Sequence, residues 1–291
     1  MQEGRPSRTA EYMALFRALE DVRPARERRF ADPFARGFLT PPLRALVGLA
    51  RIPGVAALAC RLIDRRWPGV RTSAVARTRF LDDRVARAVA GGAHQVVILG
   101  AGFDARPYRL PALRDCAVFE VDHPATQARK RRRLEASPHR IASNVRFVPT
   151  DFAREKAETT LAAAGYDATR RTLFLWEGVT NYLSDAAVDE TLRGCAQAAP
   201  ESEILFTYIH RAVLDNPGSF HGTAHVVEAL ASAGERWTFG LDPARLDAYL
   251  AERGLHLLED VGASEYRALC YGAAAATMRG YEFYRIVRAR V

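Results

Sequence analysis

Apolar residues along this chain follow two regimes. Before position 90 they recur at helical intervals, and from Gln95 onward they come in short runs. The stretch "SRTAEYMALFRALEDV" places Tyr12, Leu15, Phe16 and Leu19 on one helical stripe, with Ser7 or Thr9 as its cap. "TSAVARTRFLDDRVARAVAGG" predicts a second amphipathic helix, stopped by Gly91-Gly92. The short runs predict strands: "QVVILG", "AVFEVD" (117–122), "VRFVPTD" (145–151), "TLFLWEG" (172–178), "EILFTYIH" (203–210), "LHLLEDV" (255–261) and "YEFYRIVRAR" (281–290). Helical segments such as "HPATQARKRRRLEA" and "SDAAVDETLRGCAQAA" separate them, while "YRALCYGAAAATMRG" reads as irregular.

Apolar strands alternating with helices predict a parallel sheet covered on both faces, with ligands beyond the carboxyl ends of the strands. The expected organisation is an α/β core over 91–291 behind a helical N-terminal cap over 1–90, with a lid insertion near 211–240. There is no internal repeat and no low-complexity linker.

Composition narrows the class. An apolar fraction of 48% and a charged fraction of 26% are those of an ordinary globular protein. The formal charge of +8 invites a nucleic-acid reading, sharpest at "ARKRRRL". Yet Lys130 and Lys156 are the only lysines, so arginine dominates throughout and no nucleic-acid partner is expected. The four cysteines are far apart and form no CxxC pair, which suits reduced thiols. With no basic-then-apolar leader, the expected location is the cytoplasm. The most apolar segment, Leu43 to Ile63, is interrupted by Arg44, Arg51, Pro53 and Arg61, so no membrane is expected either.

Candidate chemistry gathers where the predicted strands end. "GAGFDA" after the first strand fits G-x-G-x-x-A, where Gly100 and Gly102 allow a tight turn and close backbone approach. The second strand ends in Asp122, 20 residues beyond Gly102, where a carboxylate accepts from ribose hydroxyls or caps the following helix. Asp151 and Phe152 end the third strand and suit an adenine, or a further cap. Glu177 ends the fourth. A ring of three acids repels a pyrophosphate but attracts the ammonium and sulfonium of S-adenosylmethionine, favouring that cofactor over NAD. Neither lysine has a tyrosine four residues before it, so Tyr-x-x-x-Lys dehydrogenase chemistry is absent.

In order along the chain, "RTRFLDD", "VVILGAGFDARPYRL", "VFEVDHP", "FVPTDF" and "LFLWEGVTNYL" resemble the successive motifs of the leucine carboxyl methyltransferase family. "PSRTAEYMALFRALE" and "RWTFGLDPARLDAYLAERGL" are similar to its bacterial branch, which resembles polyketide carboxylate methyltransferases. The resemblance implies a Rossmann-like class I methyltransferase sheet, mostly parallel with an antiparallel C-terminal strand, plus the helical cap. It further implies that Arg77 holds the methionyl carboxylate, with Arg8 a second candidate. Gly100 and Gly102 would pass beneath the methionine part, Asp122 would take the ribose, Asp151 and Phe152 the adenine, and Glu177 the ammonium. Asp104 and Arg106 read as a surface ion pair bracing the loop.

On the acceptor side, a carboxylate needs no base near pH 7, whereas a hydroxyl is helped by one. Tyr208 and His210, at the end of the fifth strand, are the candidates, each alternatively structural. Tyr182 either faces the acceptor or packs the next helix. His221 and His225 have helical spacing for zinc but lack a third ligand, so no metal is expected. The expected activity is O-methylation of a small carboxylic acid, polyketide-like or another natural product. A hydroxyl acceptor and a non-catalytic cofactor-binding protein are the alternatives. The oligomeric state is not legible.

Overall fold

Alternate residues of the first strand, β1 (Gln95–Leu99), face opposite sides of a sheet. Val96 and Ile98 enter one core cluster, and Val97 and Leu99 enter the other. The same division holds in β4 (Thr172–Trp176), with Leu173 and Leu175 on one side and Phe174 and Trp176 on the other. Every residue of β1 and β4 is buried, so continuous apolar runs rather than alternating ones encode them.

The structure, a computed structural model, describes residues 8–139, 142–151, 155–232 and 234–291. The remaining strands are β2 (Ala117–Asp122), β3 (Val145–Pro149), β5 (Glu203–Ile209), β6 (His256–Val261) and β7 (Tyr284–Arg290). In chain order the helices are α1 (Arg8–Asp21), α2 (Pro41–Leu49), α3 (Val55–Arg66), α4 (Val70–Ala90), α5 (Arg106–Arg109) and α6 (Pro124–Glu135). They continue with α7 (Ala157–Ala163), α8 (Asp185–Cys195), α9 (Ala212–Asp215), α10 (Thr223–Ser232), α11 (Leu246–Ala251) and α12 (Ala263–Tyr271).

The strands form one sheet in the order β3-β2-β1-β4-β5-β7-β6. Pairing is parallel from β3 to β5, and β7 runs antiparallel between β5 and β6. The direction of winding reverses at β1, which lies between β2 and β4, and this opens a crevice at their carboxyl ends. α1 to α4 precede β1, and a separate cluster of α1, α2 and their connection packs Leu15, Leu19, Phe34 and Phe38 against Phe103 of the glycine loop. The ring of Phe38 stacks on that of Phe103 with centroids 5.0 Å apart.

One expectation is corrected. Residues 266–271, the start of the stretch read as irregular, belong to α12, whose Tyr266 and Tyr271 are buried in the same cluster as Val75 and Phe80 of α4. The Gly262 N–H donates to the Glu265 carboxylate at 2.6 Å, which starts the helix. Only the alanine-rich tail from Gly272 departs into a 3-10 turn.

Candidate active site

Gly100 and Gly102 both take positive φ, +64° and +44°, as the chain turns out of β1. Their roles differ. A Cβ on Gly100 would stand 2.6 Å from Val179 Cγ2, so this glycine admits the loop that follows β4. A Cβ on Gly102 would meet nothing nearer than the Gly100 carbonyl at 3.8 Å, leaving open space above the turn. The Gly102 N–H donates to Asp122 Oδ2 at 2.5 Å, joining the ends of β1 and β2.

Asp122 is not the cap of α6. His123 is, with Nδ1 accepting from the Ala125 N–H at 3.2 Å. Asp122 Oδ1 accepts from the His123 N–H at 2.7 Å. Each carboxylate oxygen thus accepts one backbone bond and retains a lone pair for a hydroxyl donor. Burial raises the Asp122 pKa, against the lowering effect of the Gly102 and His123 bonds.

Glu177 follows β4, whose tip is anchored where the Gly178 N–H donates to Thr207 Oγ1 at 2.8 Å. Its carboxylate lies between two arginines. Arg77 Nε of α4 donates to Oε1 at 2.7 Å, and Arg106 Nη1 of α5 approaches Oε2 at 2.8 Å. Burial alone would raise this carboxyl, but Arg106 and Arg77 outweigh it and bring the pKa down to about 2. Arg77 also lies over the Tyr284 ring, 4.6 Å from its centroid, and Nη2 reaches Met13 Sδ of the cap at 3.5 Å. One cation and one anion side by side at the mouth of the crevice complement the carboxylate and ammonium of an amino acid.

The expectation for Asp104 and Arg106 is half corrected. They do brace the loop, but Arg106 is 3% exposed and belongs to the interior. Its guanidinium also holds Asp82 of α4, and Asp82 takes a bidentate pair from Arg109 at 2.7 and 2.8 Å. Arg109 Nε stands 3.6 Å from Asp32, which Arg17 of α1 also holds while donating to the Phe103 carbonyl. A continuous run of ion pairs therefore links the cap, the glycine loop and Glu177. Asp82 is not among the residues expected from sequence, although a signal for it exists there: it interrupts the stripe Val75, Thr78, Asp82, Val85 with a charge, and all four are buried.

The sheet order brings Asp151, Asp122, the glycine loop and Glu177 to the same rim, at the ends of β3, β2, β1 and β4. Asp151 is tied to this rim by the Thr150 N–H donating to the Asp122 carbonyl at 2.9 Å. Phe152 lies outside the described residues, as does the side chain of Arg8, the first residue of α1. Next to it, Thr9 Oγ1 donates to Glu235 at 2.9 Å, joining the cap to the segment after α10. Tyr182 is half-buried within reach of the fields of Glu235 and Tyr284, and burial chiefly pushes its phenol pKa up.

The acceptor-side expectations change most. Tyr208 is fully buried, and its hydroxyl donates to the Asp260 carboxylate of β6 at 3.1 Å. It packs with Phe206 in the cluster on one sheet face and lies within β5, where its hydroxyl is spent on Asp260. His210 does stand at the end of β5, where its ring packs against Phe220 and Nδ1 accepts from the Ala212 N–H at 3.1 Å. His221 Nε2 faces Arg279 Nη1 at 2.9 Å, a cation rather than a fellow ligand.

Comparison with known proteins adds an independent line. The profile of the leucine carboxyl methyltransferase family matches residues 10–196. A Frankia alni protein provisionally named an S-adenosyl-L-methionine-dependent methyltransferase is 37% identical over 235 residues, 79% of this chain and 75% of its own. A Streptomyces coelicolor protein of the same provisional name is 32% identical over 288 residues, covering 94% of this chain and 90% of that one. Among solved structures, a protein from Thermobifida fusca, provisionally called a methyltransferase, superposes with a TM-score of 0.60 at 17% identity, over 99% of this chain and 96% of that one. That likeness is one of fold.

Proposed function

This chain belongs to the leucine carboxyl methyltransferase family and is an S-adenosylmethionine-dependent methyltransferase, and on that premise we propose that it esterifies the carboxylate of a small acid. S-adenosylmethionine, when bound, supplies a methyl group carried on a sulfonium. The residues present fit it: Arg77 and Glu177 suit its carboxylate and ammonium, Asp122 has lone pairs for its ribose, and Gly102 leaves open the space above the turn. Asp151, and Phe152 beyond the described residues, are our assignment for the adenine side.

The observation that carries the acceptor class is the hydrogen bond at His210. Because Nδ1 accepts the Ala212 N–H, a neutral imidazole here carries its proton on Nε2. Its lone pair is already in use, so it cannot take a proton from a hydroxyl while this turn persists. Tyr208 is likewise engaged with Asp260. A carboxylate, ionised at neutral pH, needs no such base, and alignment with the sulfonium carbon and exclusion of water suffice. The family's name points to the same acceptor group.

The test is to incubate the protein with methyl-labelled S-adenosylmethionine and panels of small acids, phenols and alcohols, then treat the products with alkali. Esters release labelled methanol and ethers do not. Label retained after alkali, together with activity that vanishes in His210→Ala, would identify a hydroxyl acceptor instead.

A further inference from the structure

Helices α2 and α3 pack one side onto the cap through Val47, Ala50 and Cys60 and turn the other outward. Six of the nine exposed large apolar side chains among the described residues lie between Leu46 and Trp67. Leu49, Ile52, Leu58 and Leu62 are 57%, 55%, 56% and 59% exposed, with Leu46 and Trp67 beside them. Single exposed leucines are ordinary, but a concentration of them on one hairpin marks an interaction surface.

The polar residues of the hairpin are nearly all of one sign. Arg44, Arg51, Arg61, Arg65 and Arg66 are exposed, and the guanidinium of Arg66 lies over the Trp67 ring at 5.2 Å. The only acid, Asp64, is already held by Arg71. Beside the hairpin, a recess of about 420 Å³ is lined by Arg36, Arg44, Arg51 and Arg133, with Asp21 as its one acid. Arg44 and Arg133 both donate to the carbonyls of Gly37 and Leu39, so two guanidinium groups meet there with no ion pair to either among the described residues. Burial chiefly lowers the pKa of Arg133, and the field of Arg44 adds to it against that of Glu11.

We propose that the α2–α3 hairpin docks this protein onto an anionic phospholipid surface, its apolar crest entering the headgroup layer and the arginine recess accepting a headgroup phosphate. An apolar face with arginines on the flanks and an interfacial tryptophan is the pattern of helices that lie in a membrane surface. A second copy of the chain fits worse, because a symmetric contact sets five arginines against five, whereas an anionic surface attracts them all. The contact is peripheral, since no helix among the described residues is long and apolar enough to cross a membrane. It revises the expectation of no membrane partner, and it is independent of which acceptor the enzyme methylates.

Vesicle flotation with the full chain tests this. The protein is expected to float with vesicles of phosphatidylcholine mixed with phosphatidylglycerol, to stay behind with phosphatidylcholine alone, and to release at high salt. Leu58→Glu/Leu62→Glu and Arg61→Glu/Arg65→Glu are each expected to cut the bound fraction roughly tenfold. Both should leave S-adenosylhomocysteine binding unchanged, which certifies their fold. Equal flotation with both vesicle types, none with either, or indifference to both pairs of substitutions overturns the proposal. A dimer in sedimentation that Leu58→Glu/Leu62→Glu abolishes, without vesicle binding, assigns the face to a second copy and also overturns it.

Discussion

Arg106 Nη1 lies 2.8 Å from Glu177 Oε2, and the same buried guanidinium contacts Asp104 at 2.6 Å and Asp82 at 2.8 Å. A single side chain on the glycine-loop segment therefore sets the position of the acid that follows β4 through contacts to α4. Glu177 is held before any ligand arrives, which reduces the ordering cost of binding an ammonium.

Replacing Arg106 should disturb both stability and binding. Arg106→Met leaves three carboxylates without their shared cation, and a cost of about 3–5 kcal/mol follows from breaking buried pairs one-sidedly. Arg106→Lys keeps the charge but offers a point ammonium where a planar fork reaches three partners. The lysine variant should fold and bind S-adenosylhomocysteine roughly tenfold more weakly, about 1.4 kcal/mol. Calorimetric titration and urea unfolding measure the two effects. Undiminished affinity in the lysine variant would show that Glu177 is positioned without Arg106.

Glu177 also predicts a pH dependence. Its folded pKa of about 2 lies below the ordinary 4.5, so the folded state favours the ionised form. That contribution is fully present above about pH 4.5 and is lost as the pH falls toward 2, and its size is on the order of 3 kcal/mol. Thermal stability followed from about pH 6 down to about pH 3, across the titration range of the carboxylates, should decline more steeply in the wild type than in Glu177→Gln. Identical slopes would remove Glu177 from the acid sensitivity of the fold.

The strands were legible because their residues are buried on both faces, and burial of that kind leaves an uninterrupted apolar run. The ends were legible too, since Gly100, Asp122 and Glu177 interrupt those runs at the rim. The network behind them was not. Arg106 and Asp82 are 24 positions apart in sequence, and only the packing of α4 beside the glycine loop makes them neighbours. Similarly, Tyr208 and His210 look equivalent as a strand-end pair, yet Tyr208 is still inside β5 while His210 has left it. Where the strand stops, after Ile209, decides that His210 and not Tyr208 stands beyond it. α12 is hard to read in sequence because it is short and runs directly into the glycine and alanines of the following 3-10 turn, which carry no apolar stripe to extend the one Tyr266 and Tyr271 supply.

The close approach of Val179 to Gly100 gives a paired test. Gly100→Ala places a methyl 2.6 Å from Val179 Cγ2, on a backbone at φ +64°. Overpacking of about 1–3 kcal/mol adds to roughly 1 kcal/mol of left-handed strain. Val179→Ala in the same chain should recover the packing share and leave the strain. A double-mutant cycle in urea that showed no coupling between the two sites would mean that the loop after β4 yields freely.

Asp122 makes the most specific claim on the cofactor. Each of its oxygens accepts a backbone N–H, so Asp122→Asn turns an amide N–H₂ toward one of two donors. The cost is about 1–3 kcal/mol of stability for the displaced bond, and the variant remains folded. Binding separates the structural role from the ribose role. The wild type should prefer S-adenosylhomocysteine over its 2′-deoxy analogue, because the hydroxyl finds the spare lone pair of Asp122. In Asp122→Asn that preference should shrink roughly tenfold, while the analogue itself loses less affinity. If both ligands weaken by the same factor, Asp122 serves only to hold Gly102 and His123, and the ribose lies elsewhere.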